Sequence, residues 1–240
     1  TMPAHFWQDC RRVLAGRDCN GHGTWLGVNL EGRVAGLTNI RNPAAFNQHS
    51  PSRGGLVSGF LTSSLDPVSF LDSQKTEMFN PFNLILGSVE ELFFFSSQER
   101  DVARIEPGVH GLSNGSLNTP WPKVVRGRAR MKKLLLRDDF GPEDFFPLLQ
   151  DRTQPEDASL PDTGVGLELE RFLAPIFING QTYGTRSSTV IMVDNQGTVR
   201  FWERTHENPD TQKGALCAQA PSRHIPERVS PAGGRVDREF

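Results

Sequence analysis

Four short stretches combine glycine, small hydroxyl or amide side chains and one aromatic residue or arginine: "GTWLGVN" (23–29), "LTNIRNP" (37–43), "HGLSNGSLNTPWP" (110–122) and "YGTRSST" (183–189). Asparagine, serine and threonine offer compact hydrogen-bonding groups, glycine lets a backbone approach a ligand, and proline stiffens the loop that carries them. A pocket that stabilises an oxyanion needs such short, rigid donors. The same residue types also make strand-end turns that satisfy only their own backbone. Both readings stay open for any single stretch.

The elements that must position these residues follow from the pattern of apolar positions. The spacing predicts a hairpin over 23–39 turning at Glu31-Gly32, and two short helices within 56–74, the second with Asp66 as N-cap and Pro67 at its first position. A second pair of strands is expected over 82–98 and broken extended segments through Gly108. A helix opens at Pro120 and Pro122 and runs to about Arg137, and a shorter one follows over 141–151. Residues 166–178 read as helical until Pro175, and 188–206 as a hairpin turning at 194–197. Pro3 and "AHFWQDCRRVLAG" (4–16) read as a turn and a short helix. Beyond Glu207 the composition shifts to proline, glycine, serine and charge, so 1–207 is expected to be one domain and 208–240 a mobile polar tail. Strands, then helices, then strands predict an α+β protein with layered antiparallel sheets.

Composition narrows the function. The chain has 240 residues and a formal charge of -2, without the excess basicity of a nucleic-acid binder. Its apolar runs, such as "LFFF" (92–95), are too short for a membrane span, and the stretch "TMPAHFWQDC" (1–10) is not expected to act as a secretory signal. Cys10, Cys19 and Cys217 show no metal-binding spacing, which fits a reduced, cytoplasmic setting. The histidines are scattered and form no metal set. Lys123, Arg126, Arg130, Lys133 and Arg137 share one helix face with no acid among them. An acidic stretch over 138–170 is placed to balance that charge. The alternative is an anion site for carboxylates, phosphates, haem propionates or, in transient contact, acidic lipid headgroups.

Taken together, "PAHFW" (3–7), "GTWLGVN", "LTNIRNP", "HGLSNG" (110–115), "TPWPKV" (119–124) and "YGTRSSTV" (183–190) resemble, in order, the motifs of the NRDE family, also called the transport and Golgi organisation protein 2 family. The resemblance covers about residues 3 to 206. It implies a fold like that of the N-terminal-nucleophile hydrolases, two antiparallel sheets sandwiched between helical layers (αββα), with a more distant likeness to penicillin V acylases. By that likeness Asn114 sits in an oxyanion wall, Arg186 lies near the nucleophile, and Asn39 stands on a neighbouring strand. Family members carry a Met-Cys strand and an Asn-Arg-Asp-Glu motif ahead of "PAHFW". Their absence here leads to the expectation of about 25–30 further residues upstream, carrying two strands. Thr1 as a replacement nucleophile fits poorly with a turn at Pro3.

Two functions remain open. One is a binding and trafficking protein for haem or another amphipathic, anionic ligand, lined by Trp25, Ser113, Trp121, Lys123 and Arg126. In that reading His5 or His110 would be an axial haem ligand, and haem would be the cargo. The other is a cysteine amidohydrolase acting on carbon–nitrogen bonds, its nucleophile missing from this chain, which would then be inactive. In either case Trp121 is expected to anchor its loop by burial, with Asn114 turned toward the matched arginine.

Overall fold

The computed structural model describes residues 1–206 and the two-residue strand Glu227–Arg228; the expected tail at 208–240 otherwise lies outside the described residues. Seven strands form one antiparallel meander in sequence order: β1 (Met2–Phe6), β2 (Val13–Arg17), β3 (Leu26–Asn29), β4 (Arg33–Asn39), β5 (Phe82–Ser88), β6 (Leu92–Ser96) and β7 (Val102–Arg104). A second sheet holds β8 (Ser187–Val193), β9 (Thr198–Thr205) and β10 (Glu227–Arg228), with β9 in the middle. The helices are α1 (Gly54–Thr62), α2 (Pro67–Asp72), α3 (Pro122–Leu135), α4 (Pro142–Leu149) and α5 (Leu167–Leu173).

Three apolar clusters stack these elements into layers. In the first, Ala35, Leu37, Phe82, Leu84 and Leu86 from the large sheet meet Leu56, Val57, Phe60 and Leu61 of α1 and Phe70 and Leu71 of α2. The alternate residues of the same sheet, Leu14, Val28 and Val34, turn the other way and pack on Val199, Phe201 and Ile191 of the second sheet. The far face of that sheet places Val190, Met192 and Trp202 against Phe145 and Phe146 of α4 and Met131 and Leu134 of α3. The order is therefore helix, sheet, sheet, helix, because strands with apolar residues on both faces need cover on both sides.

The hairpins at 23–39, 82–98 and 188–206 form as expected, as do α1 and α2, with the Asp66 carboxylate accepting from Val68 N and Ser69 N. The turn and helix expected at the N-terminus are replaced by the hairpin β1–β2. Trp7 donates from its backbone N to Val13 O at 3.0 Å and from its indole to Ala15 O at 3.2 Å. Trp7, Val13 and Ala15 serve the helix-side core, while Ala4, Phe6 and Leu14 serve the core between the sheets. That division has a period of two, which both buried faces reward over a helical period. Pro3 is tolerated because β1 is an edge strand, and Ala4 N beyond it donates to Glu203 Oε1 at 2.7 Å.

A close backbone approach in the helix-side layer joins Gly23 to Gly54: Thr24 N donates to Gly54 O at 3.2 Å, and a Cβ on Gly23 would stand 2.3 Å from the Gly54 carbonyl carbon. Gly23→Ala should therefore destabilise the fold by about 1–3 kcal/mol, measured as a lowered urea midpoint, whereas Gly55→Ala, with open space at its Cβ, should not.

Candidate functional site

The loop between β7 and α3 is held in shape by its own polar residues. Asn118, at a left-handed φ of 62° that asparagine tolerates better than most residues, donates from its backbone N to Gly111 O and accepts from Gly111 N. His110 bonds Glu106 O through one ring nitrogen at 2.8 Å and the Asn118 side chain through the other at 2.9 Å. Gly115 lies close to Trp121, an added Cβ meeting the indole at 3.2 Å, and its carbonyl accepts from Asn83 Nδ2 at 2.6 Å.

This shape delivers Asn114 onto the end of β4. Its Nδ2 donates to Asn39 O at 2.8 Å, its backbone carbonyl accepts from Arg41 N at 3.0 Å, and its Oδ1 faces Arg41 Nη2 and Ser113 Oγ at 3.5 and 3.4 Å. Arg41 then reaches Glu170 on α5, Nη1 to Oε2 at 2.5 Å, and its guanidinium lies 5.4 Å from the centroid of Trp121. The pair is deeply placed, with 10% of the arginine side chain and 3% of the glutamate exposed. Such burial is tolerable only when the remaining lone pairs are satisfied, and Glu170 Oε1 also accepts from Thr163 N and Thr163 Oγ1.

Beside the pair lies a narrow cleft of about 10 Å³, partly open to solvent. Its walls are Trp121, Pro122, Leu160, Pro161, Leu173 and Ala174, and its polar groups are Arg41, Lys123 and Glu170. Lys123 Nζ donates to Leu173 O, near the end of α5, at 2.7 Å. Burial first, then the neighbouring Arg41 charge, lowers its pKa to about 8 despite the opposing pull of Glu170. The cleft thus pairs a flat aromatic wall with an amine that no carboxylate neutralises among the described residues.

Of the expected site residues Trp121 and Lys123 line this cleft, while Asn39, Ser113 and Asn114 join one another behind it and reach it only through Arg41. Arg186 is elsewhere: its Nη2 donates to Thr1 O at 2.9 Å. Thr1 precedes β1 at the same sheet end as Asn39 but three strands away, roughly 14 Å. The arginine beside Asn114 is Arg41, so the expected Asn114–Arg186 pairing is replaced by Asn114–Arg41. His5 bonds Pro3 O on the edge strand, and Trp25 stands 38% exposed near Arg53, both apart from this cleft. With both ring nitrogens engaged in its loop, His110 braces the chain and has no free lone pair for iron.

Arg126 turns away to Asp151, joined there by Arg130. Burial alone would raise the Asp151 pKa, but hydrogen bonds from Thr153 and Arg126 outweigh it and hold it far below the usual range. Arg137 pairs with Asp139 and Asp144, and Arg128 donates to Val109 O. The basic face of α3 is thus largely balanced by the acidic stretch.

Three residues of the site escaped the sequence reading. Arg41 lay inside a quoted motif and was signalled by its position two residues past Asn39. Asn83, fully buried in an otherwise apolar strand, was visible as a break in pattern; its Oδ1 and that of Asn39 are buried without a hydrogen-bond partner among the described residues. Glu170 carried no local signal, because only the tertiary fold brings it to Arg41.

Glu170→Gln keeps the volume but leaves the Arg41 charge buried and unpaired, and is expected to cost about 3–5 kcal/mol in chemical denaturation. Lys123 gives a separate pH signature. Below pH 8 it is protonated in both folded and unfolded states, and the native state bears the full cost of burying the charge. Between about 8 and about 10.5 the folded amine is neutral while the unfolded one still holds its proton, so stability rises with pH across that window. Lys123→Met should flatten the rise, read as the difference in unfolding free energy between pH 7 and pH 10.

A family profile described as Transport and Golgi organisation 2 matches residues 1–208. The chain is 32% identical over 229 residues to the mouse Transport and Golgi organization 2 homolog, covering 88% of this chain and 83% of that protein. It is 34% identical over 221 residues to the bovine homolog, covering 84% and 80%, and 32% identical over 226 residues to the human one, covering 86% and 82%. Among solved structures it is similar to a conjugated bile acid hydrolase from Clostridium perfringens, at a TM-score of 0.46 and 11% identity over 94% of this chain and 84% of that one. On the family profile and the mammalian relatives, the chain belongs to the Transport and Golgi organisation 2 family.

Proposed function

We propose that the protein is a binding protein for an amphipathic anion, haem being the candidate cargo, and that the anionic end of the ligand enters the cleft between α3 and α5. The observation that carries this reading is the pairing of apolar walls with a half-buried, unneutralised Lys123, while Arg41 is already matched by Glu170. A carboxylate arriving there would complete the charge balance and gain a charge-assisted hydrogen bond from Nζ. A haem propionate supplies that group, and the macrocycle would lie outward over Trp121.

Within this reading residues 1–207 act as one domain in the cytoplasm, where the unpaired thiols Cys10 and Cys19 would stay reduced. No described helix is long and apolar enough to cross a membrane. Exposed Lys132, Lys133 and Leu136 on and after α3 would support transient contact with an acidic membrane surface during loading.

A second reading, hydrolysis of a carbon–nitrogen bond, is favoured by one observation: the Arg186 guanidinium stands against the first residue of the chain at the sheet end that also carries Asn39. It asks Asn114 to release Asn39 O before its amide can serve an oxyanion. Turnover of amide or thioester substrates, lost in Arg186→Ala, would favour it.

Haem titration followed at the Soret band tests the carrier. A saturable shift at one equivalent is expected, with Kd raised roughly tenfold, about 1.4 kcal/mol, in Lys123→Met. No saturable shift, or an affinity indifferent to Lys123, would overturn the reading.

A further inference from the structure

Lys123 has a second chemical property that anion binding does not use. Its Nζ lies in an apolar-walled cleft, donates to the Leu173 carbonyl at 2.7 Å, and forms no ion pair among the described residues. A neutral amine can keep that one N–H···O bond and still hold its lone pair free. The charged groups around it are Arg41 on the strand side, Glu170 on α5 and Arg126 one turn along α3. Burial is the main effect that favours the neutral amine; the Arg41 charge adds to it, Glu170 opposes it, and Arg126, paired with Asp151, contributes least. Desolvation beside another cation is how proteins make a lysine nucleophilic near neutral pH.

We propose that Lys123 is a covalent capture site for small apolar aldehydes, forming an imine at its Nζ. The lone pair of the neutral amine adds to the carbonyl carbon, the carbonyl oxygen takes up a proton, and the resulting carbinolamine loses water to leave a C=N bond. Amine and aldehyde give imine and water, with no change of oxidation state and no further reactant. The carbonyl carbon reaches Nζ through the open side of the narrow cleft, the aliphatic or aromatic group of the aldehyde lies outward along Trp121, and the Arg41–Glu170 pair remains neutral as a unit. The short reach of the cleft selects an unbranched or flat carbonyl end.

With a pKa of about 8, Lys123 carries roughly two-hundredfold more neutral amine at pH 7.5 than an exposed lysine, a gain that its lower basicity and partial burial offset in part. The test uses the whole chain, butanal as probe and cyanoborohydride to trap the imine, with butylated lysines quantified by peptide mass spectrometry. The exposed Lys75, Lys132 and Lys133 are internal references on the same molecule. Labelling of Lys123 at least tenfold faster than all three at pH 7.5, with a rate half-maximal near pH 8, is expected. Labelling no faster than the references, or a rate still climbing past pH 10 as theirs does, would overturn the proposal. The inference shares only the accessibility of the cleft with the carrier reading. Because it is read by mass without haem, its failure leaves the Soret result standing, and the reverse holds too.

Discussion

The buried ion pair between Arg41 and Glu170 is the constraint on which the site depends. One end lies just past the end of β4 and the other on a short helix nearly 130 residues later in the chain. Asn114 clips the connecting loop to the same arginine through its backbone carbonyl and side chain. Removing two such charges from water is expensive, so the pair is tolerable only because Thr163 and Asn114 satisfy what the partners leave open. The consequence is positional. Trp121 and Lys123 are presented at one cleft because the loop, the helix and the strand end have little freedom to move apart.

Layering supplies the frame for that pair. In the large sheet β2 and β4 each contribute alternate residues to two cores, one under α1 and α2 and one against the second sheet. A shift of one residue in register would exchange the two sets, which strongly specifies the pairing. Within that rigid sheet, Asn83 faces Thr38 across β4 and β5 and catches Gly115 O, tying the loop to a strand interior rather than to a mobile edge.

The charges on α3 divide according to depth. Arg126, Arg130 and Arg137 find carboxylates and become part of the scaffold, while Lys123, near the start of the helix, is buried against α5 with only a carbonyl as partner. The face that looks basic in the sequence is therefore mostly neutral in the protein, and Lys123 is set apart from the exposed Lys132 and Lys133 by its burial. Membership of the Transport and Golgi organisation 2 family places this arrangement among relatives of similar length without assigning them a ligand.

Local patterns in the sequence determined most of the elements. Alternation marked the three interior hairpins, Asp66-Pro67 marked the start of α2, and Pro120 and Pro122 marked the entry to α3. The ordered motifs also pointed to the family, and the polar strand ends pointed to Asn39 and Asn114. The β1–β2 hairpin escaped because Trp7, Val13 and Ala15 read as strand only when both cores are in place to bury alternate faces. Pairing across long separations escaped for a related reason: Arg41 has many acids available in the chain, and nothing local distinguishes Glu170 from the rest. Desolvation singles it out, since a buried carboxylate needs a cation at contact distance, and which residues are buried together is decided by the tertiary structure alone.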